Sequence, residues 1–142
     1  VIAYREQDVD SLREMVRRTV FNLLVGNGDA HLKNWSLIYP DRRTARLSPA
    51  YDLVCTAVYP GHAELGLPFF GARTLAEVGR GHFTRLQQAL QVDPEDVLHV
   101  VDETVERFYD VWGTDLTAPV PPDVRQWVGG HRDDTRRRLE QD

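Results

Sequence analysis

Cysteine and long apolar runs are almost absent from this chain. The single cysteine, Cys55, excludes an internal disulfide and a thiolate-rich zinc site, so nothing indicates an oxidising compartment. No stretch approaches the roughly 20 apolar residues of a membrane-spanning helix, and no secretory signal is visible at the start. We therefore expect no membrane contact and a cytoplasmic location. Because the chain starts with Val1 and its only methionine is Met15, the sequence leaves open whether it belongs to a longer protein.

Positive charge is in the minority. Seventeen Lys and Arg against 22 Asp and Glu give a net charge of -5, which repels a phosphate backbone. Direct nucleic-acid binding is therefore not expected. The chain has 142 residues, of which 42% are hydrophobic and 27% charged, and this is the composition of one globular domain. We expect residues 1–142 to form that domain.

The first part of the chain predicts a helix that ends in a polar loop. Apolar residues recur at helical spacing from Leu12 to Leu24, and Ser11 with Glu14 fits a capping box. The residues Gly26-Asn27-Gly28 predict a sharp helix end, because glycine and asparagine tolerate left-handed backbone. Residues 29–34 are then predicted to be a loop.

The rest of the chain predicts a short hairpin and then helices. Residues 35–39 and 45–47 are predicted to pair across a turn at 40–44, whereas residues 59–73 are predicted to be irregular. Helices are expected at residues 82–90 and 94–112, the second capped by Asp93, and a last helix is expected from Asp123. Gly129 and Gly130 are expected to interrupt this last helix. The predicted fold class is mainly α, with a short β-hairpin beside the loop.

The loop NGDAHLKN, residues 27–34, carries the residues that point to chemistry. Asp29 and Asn34 lie five residues apart, and Asp52 follows at the far end of the predicted hairpin. Phosphoryl transfer needs a carboxylate to accept a hydroxyl proton and oxygen ligands for Mg²⁺, and protein kinases use a D-x-x-x-x-N loop for these tasks. The same spacing also arises by chance, and Asp and Asn near a helix end often only satisfy backbone groups.

Two motifs give a more specific indication. The segment VFNLLVGNGDAHLKNWSLIY, followed by LSPAYDLV, resembles the C-terminal domain of the HipA family, bacterial serine/threonine kinases that act as toxins of toxin-antitoxin pairs. The family pattern N-x-D-x-H-x-K-N is matched by Asn27, Asp29, His31, Lys33 and Asn34, and its P-x-Y-D segment by Pro49, Tyr51 and Asp52. Later segments such as ELGLPFFGARTL also resemble that domain, so the likeness covers nearly the whole chain. It implies a fold like the C-terminal lobe of a protein kinase.

The resemblance implies a role for each matched residue. Asp29 would be the catalytic base, while Asn34 and Asp52 would bind Mg²⁺ beside the phosphates of ATP. The other side chains implied in the nucleotide site are His31, Lys33 and Tyr51. His31 and Lys33 would either lie against the nucleotide or hold the loop. In conventional protein kinases the lysine lies two residues after the catalytic Asp, a place that His31 takes here.

The resemblance also implies partners, which are ATP, a protein substrate and a HipB-like antitoxin. For some family members the substrate is an aminoacyl-tRNA synthetase. A kinase further needs a glycine-rich loop and a strand lysine over the nucleotide, and no G-x-G-x-x-G pattern occurs here. In the family these parts precede the C-terminal domain.

Three functions therefore remain open. The chain is the catalytic lobe of a HipA-like kinase that is inactive alone, a non-catalytic remnant that binds an antitoxin or another partner chain, or a phosphotransferase for a small molecule. The intact Asp29, Asn34 and Asp52 favour the first. The missing nucleotide cover favours the second.

Overall fold

Four helices and two antiparallel hairpins make up the computed structural model, which describes residues 8–141. In chain order these elements are α1 (Val9–Val25), β1 (Leu37–Ile38), β2 (Arg46–Leu47), β3 (Glu64–Phe69), β4 (Ala72–Thr74), α2 (Arg80–Leu90), α3 (Pro94–Val111) and α4 (Pro122–Glu140). Short 3-10 turns lie at Leu32–Asn34, Leu75–Glu77 and Asp115–Thr117. The predicted fold class, mainly α with a hairpin beside the loop, is confirmed. No helix within residues 8–141 is both long and apolar enough to cross a membrane.

The four helices share one apolar core. α1 packs most extensively against α3 and also against α4, while α2 packs against α3. The side chains buried most completely in this core include Val16, Val20, Phe83, Val97, Val101, Val105, Val128 and Leu139. α1 is therefore held on several sides, and the loop that follows it leaves from a fixed point.

The start of α1 differs from the predicted capping box. The cap is Asp8, whose Oδ1 accepts a hydrogen bond of 3.0 Å from the backbone N–H of Ser11. The Ser11 hydroxyl is used elsewhere, since it accepts a hydrogen bond of 3.0 Å from the backbone N–H of Leu47 in β2. This contact ties the first hairpin to α1. The predicted end of the helix is confirmed, with Gly26 in the left-handed conformation at φ 74°.

The first hairpin is confirmed, and a second one lies where the sequence predicted irregular chain. In the first, Leu37 pairs with Leu47 and Ile38 with Arg46. The second joins β3 to β4 and covers residues 64–74, so the prediction of irregular chain at residues 59–73 was wrong. The glycine and proline content of this stretch was misleading because Gly71, at φ 97°, serves the tight turn between the strands.

The helices of the second half agree with the sequence except in detail. α2 begins at Arg80, two residues before the predicted start. α3 begins at Pro94 behind Asp93, whose side chain accepts a hydrogen bond of 2.9 Å from Glu95 N–H, as predicted. The predicted interruption of α4 was wrong, because the helix continues through Gly129 and Gly130. Its buried face, which includes Val128, Thr135 and Leu139, outweighs the cost of about 1 kcal/mol per helical glycine.

Candidate functional site

The polar loop begins at Gly26, where α1 ends against α4. A Cβ placed on Gly26 would lie 2.4 Å from the ring of Trp127, so only glycine fits under this indole. The carbonyl of Gly26 accepts hydrogen bonds from the backbone N–H groups of Thr56 (3.0 Å) and Ala57 (2.9 Å). The chain after Asp52 is thereby held beside the start of the loop.

Gly28 fixes the loop against β3. A Cβ at this position would lie 2.3 Å from the carbonyl oxygen of Glu64, which is a backbone atom that cannot easily give way. Gly66 N–H donates to the Gly28 carbonyl over 2.6 Å, and Gly28 N–H donates to the Thr56 hydroxyl over 2.9 Å. Two separate segments, β3 and the stretch at Thr56, therefore hold Gly28 and so set the position of Asp29, the next residue.

Asn34 joins the loop to the segment that carries Asp52. Its side-chain amide donates a hydrogen bond of 3.0 Å to Oδ2 of Asp52 and another of 3.2 Å to the backbone carbonyl of Asp29. Asp52 has the left-handed backbone conformation, at φ 56°, which is uncommon for a residue other than glycine. The structure thus brings together the three residues that the sequence singled out. The Asp29 carboxylate itself points to solvent, with 64% of the side chain exposed.

Two buried asparagines support this junction from below. Asn27 donates hydrogen bonds to Asn22 Oδ1 (3.1 Å) and to the backbone carbonyl of Asp52 (3.2 Å). Asn22 is 6% exposed and Asn27 is 2% exposed, so this pair fixes the Asp52 backbone from the protein interior. Asn22 was missed by the sequence analysis, although a polar residue within the apolar helix face at Val20 and Leu23 was a usable signal.

Tyr51 connects the same two segments on the exposed side. Its hydroxyl donates a hydrogen bond of 2.6 Å to the backbone carbonyl of Lys33 and lies 2.5 Å from Oγ of Ser36. In this geometry the phenol holds the loop. Ser36 is a further residue that the sequence analysis did not single out.

His31 lies between Asp29 and β3. Its Nε2 is 4.0 Å from Oδ1 of Asp29, and its backbone is packed so closely on Gly66 that a Cβ there would lie 3.1 Å away. Nδ1 of His31 is buried and has no hydrogen-bond partner among the described residues. Lys33 is exposed on the 3-10 turn, and its backbone carbonyl accepts the bond from Tyr51. His31 is thus placed against the loop and Lys33 towards solvent.

The side-chain oxygen atoms of Asn34 and Asp52 are suitable ligands for Mg²⁺. Amide and carboxylate oxygens are the ligands that this ion prefers, and it commonly keeps few protein ligands and relies on substrate phosphates for the others. Within residues 8–141 no three His, Cys, Asp or Glu side chains cluster as a metal cage would require. An ion at this place would therefore be held by Asp52, by the Asn34 amide oxygen and by the phosphates of a nucleotide.

Sequence comparison assigns the family. Residues 1–112 match the HipA-like C-terminal domain. The chain belongs to this family. It is 44% identical over 108 residues to "Putative kinase Y4dM" of Sinorhizobium fredii, covering 75% of this chain and 26% of that protein. It is also 36% identical over 98 residues to "Putative kinase Y4mE" of the same organism, covering 66% of this chain and 23% of that protein. This member of the HipA-like family spans about a quarter of the length of these relatives.

Structure comparison confirms the kinase-like fold. The chain superposes with a TM-score of 0.67 on HipA of Shewanella oneidensis, in a structure of HipA with HipB and its operator DNA. The identity is 21%, and the match covers 90% of this chain and 30% of that one. At this identity the likeness concerns the fold. The HipA-like domain described here is thus a kinase-like C-terminal lobe.

Proposed function

We propose that the chain is the C-terminal catalytic lobe of a serine/threonine protein kinase, which transfers the γ-phosphate of ATP to a protein hydroxyl. The observation that carries this proposal is the contact of Asn34 with both Asp52 and the backbone of Asp29. It joins the residues that a kinase needs as metal ligands and base in one exposed place. Membership of the HipA-like family and the kinase-like fold support it.

Each residue has a task that follows from its surroundings. The exposed carboxylate of Asp29 accepts the proton of the substrate hydroxyl while that oxygen bonds to the γ-phosphorus, and the bond from the γ-phosphorus to the leaving ADP oxygen breaks. Asn34 and Asp52 hold Mg²⁺, which when bound neutralises charge on the β- and γ-phosphates. His31 and Tyr51 hold the loop. The side chain of Lys33 is exposed and is therefore available to contact the nucleotide phosphates.

The proposed kinase requires a second lobe to cover the nucleotide. The relatives are about four times as long as the matched region, which leaves ample chain for a glycine-rich loop and a lysine that pairs with the phosphates. We propose that a protein substrate docks across both lobes. A HipB-like antitoxin is a second proposed partner, since the neighbour from Shewanella oneidensis is in complex with HipB.

A non-catalytic partner-binding role is the alternative, and one surface favours it. An apolar groove of about 800 Å³ runs beside the Asp52 segment and is lined by Leu53, Val54, Val111 and Trp112 among others. Leu53 is 44% exposed and Val54 is 48% exposed. Apolar surface of this kind is typical of a place where another protein binds.

Labelled phosphate transfer distinguishes the two functions. We expect no transfer from the chain alone, because half of the phosphate-binding apparatus is on the other lobe. The N-terminal region of a close relative, supplied in trans, is expected to restore turnover by positioning the nucleotide. Activity of this chain by itself would contradict the two-lobe account. A mixture that associates but never transfers phosphate would favour the non-catalytic role.

A further inference from the structure

Arg18 is a buried arginine on the face of α1 beneath the Asp52 segment. Its side chain is 7% exposed, and its Nε donates a hydrogen bond of 2.7 Å to Glu14 Oε1. One terminal nitrogen donates to the backbone carbonyl of Ser48. The other, Nη1, is buried without a hydrogen-bond partner among the described residues. Burying a guanidinium with one nitrogen unpaired costs stability, and its contacts with Glu14 and Ser48 offset part of that cost.

The contact with Ser48 fixes the start of the segment that ends in Asp52. The backbone N–H of Ser48 donates to the carbonyl of Ser36 over 2.8 Å, so both backbone groups of Ser48 are engaged. Asn27 holds the other end by donating to the Asp52 carbonyl. Arg18 also lines the same small cavity as Asn34 and Asp52. The segment 48–52 is therefore clamped at both ends from the interior of the protein.

The clamp acts on a residue with an uncommon backbone conformation, because Asp52 lies in the left-handed region, at φ 56°. Aspartate adopts this conformation more readily than most residues, but still at a cost that the surrounding contacts offset. The contact between the Asp52 carboxylate and the Asn34 amide depends on it, since relaxation of the backbone would turn the carboxylate away.

We propose that Arg18 is a positioning residue for Asp52. By holding the Ser48 carbonyl, it imposes the backbone path that places the Asp52 carboxylate beside Asn34. The effect on metal affinity rests on the proposed function of Asp52 as a ligand of Mg²⁺. The effect on the contact between Asn34 and Asp52 does not depend on that function.

The direction in which metal affinity changes when Arg18 is removed distinguishes a positioning role from a purely electrostatic one. A guanidinium near the site repels a divalent cation, so its removal would tighten metal binding if charge were its only influence. A positioning role has the opposite consequence, because a displaced carboxylate binds more weakly. Outer partners that orient metal ligands typically contribute about 10–100-fold in affinity.

The first test follows the side-chain amide of Asn34 by ¹⁵N NMR in the whole chain. Arg18→Met is expected to shift this resonance towards its position in Asp52→Asn, in which the charged acceptor is removed. Arg17→Met is the matched control. Arg17 also lies near Glu14, at 3.7 Å, and near Glu103, at 3.6 Å, and the structure gives it no contact with Ser48. An Asn34 resonance unchanged by Arg18→Met would overturn the proposal.

The second test measures Mn²⁺ affinity by calorimetry in the same variants. Arg18→Met is expected to weaken binding at least tenfold, and Arg17→Met to leave it near the wild-type value. Unchanged or tighter binding in Arg18→Met, in a chain whose wild type binds Mn²⁺, would overturn the inference alone. Absence of Mn²⁺ binding by the wild type would instead count against the proposed ligands, and the NMR result would still decide the role of Arg18.

A third variant keeps both tests decisive if Arg18→Met does not fold. Arg18→Lys retains the charge, but a single ammonium lacks the fork that reaches Glu14 and Ser48 together. We expect the Asn34 resonance to shift partway and Mn²⁺ binding to weaken. Full retention of both properties by the lysine variant would show that a cation suffices, and that the clamp on Ser48 is not what positions Asp52.

Discussion

The side-chain amide of Asn34 donates a hydrogen bond of 3.0 Å to the carboxylate of Asp52, 18 residues further along the chain. The same amide reaches the backbone of Asp29 over 3.2 Å. One side chain thus connects the proposed base to the proposed metal ligand. A change at Asn34 is therefore expected to affect the geometry of both the Asp29 backbone and the Asp52 carboxylate.

The first prediction concerns metal binding by the chain itself. Asp52→Ala should abolish binding of Mn²⁺, because the site would lose its only proposed carboxylate and no nucleotide is present to compensate. Calorimetry is the measurement, and wild-type binding is expected to be weak. Asp110→Ala serves as a control, since this exposed aspartate lies on α3. Binding unaffected by Asp52→Ala would remove the metal role from this residue.

A second prediction concerns Asp29 in a kinase reconstituted with an N-terminal lobe. Asp29→Asn should lower kcat by about 10²-fold or more, the usual scale for general-base catalysis. Stability should stay near the wild-type value, because the Asp29 side chain is 64% exposed. Steady-state phosphate transfer and a urea unfolding curve check both statements. Near-normal turnover in this variant would mean that another residue accepts the proton.

Gly28 provides a third prediction, on the packing under the loop. Gly28→Ala should lower the free energy of unfolding by about 1–3 kcal/mol, the usual cost of overpacking. The new Cβ would lie 2.3 Å from the Glu64 carbonyl and 2.8 Å from that of His62. Gly129→Ala is the matched control, since no atom outside the neighbouring backbone of α4 lies within 4 Å of its Cβ, and it should stabilise α4 by about 0.5–1 kcal/mol. Equal effects of the two changes in urea unfolding would contradict the close approach at Gly28.

The fourth prediction is a pH dependence in the turn of the first hairpin. The Thr44 hydroxyl, followed by the backbone N–H groups of Thr44 and Arg43, lowers the pKa of Asp41 from 3.8 to about 2. Because the folded pKa is depressed, the ionised form stabilises the turn. This contribution is complete above the ordinary pKa and is lost as the pH falls towards 2.

Asp41→Asn tests this dependence. The variant should be less stable than the wild type at pH 7, and the difference in the free energy of unfolding should shrink between about pH 4 and pH 2.5. Urea titrations at several pH values measure it. A difference that stays constant over this range would show that the hydrogen bonds to Thr44 and Arg43 do not depend on the charge of Asp41.

Most of the fold follows from patterns that the sequence shows directly. Helical spacing of apolar residues predicts α1 and α3, and Asp93 with Pro94 marks the start of α3. The hairpin of β3 and β4 was missed because its strands have only a half-buried face and contain Pro68 and Gly66. The continuity of α4 was missed because local propensity of Gly129 and Gly130 is outweighed by burial of distant side chains, which spacing does not reveal.

The motif identifies the residues of the proposed site from the sequence, but not the hydrogen bonds that connect them. Asp29, Asn34 and Asp52 were identified by motif, and the structure brings them together. Asn27 donates a hydrogen bond to Asn22, and Arg18 donates one to the Ser48 carbonyl. Each bond joins different parts of the chain, so no local sequence pattern predicts it. The sequence shows only that Arg18 and Asn22, four residues apart, lie on the same face of α1.

The contact of Gly26 with Trp127 has a consequence for any attempt to trim the domain to a shorter fragment. The family match ends at residue 112, yet Trp127 lies in α4, beyond that limit, and covers the point where the loop begins. The region that matches the family therefore does not contain every side chain that packs against the loop. A fragment cut at residue 112 would lack the indole that packs over Gly26, so the point at which the loop begins would be exposed to water.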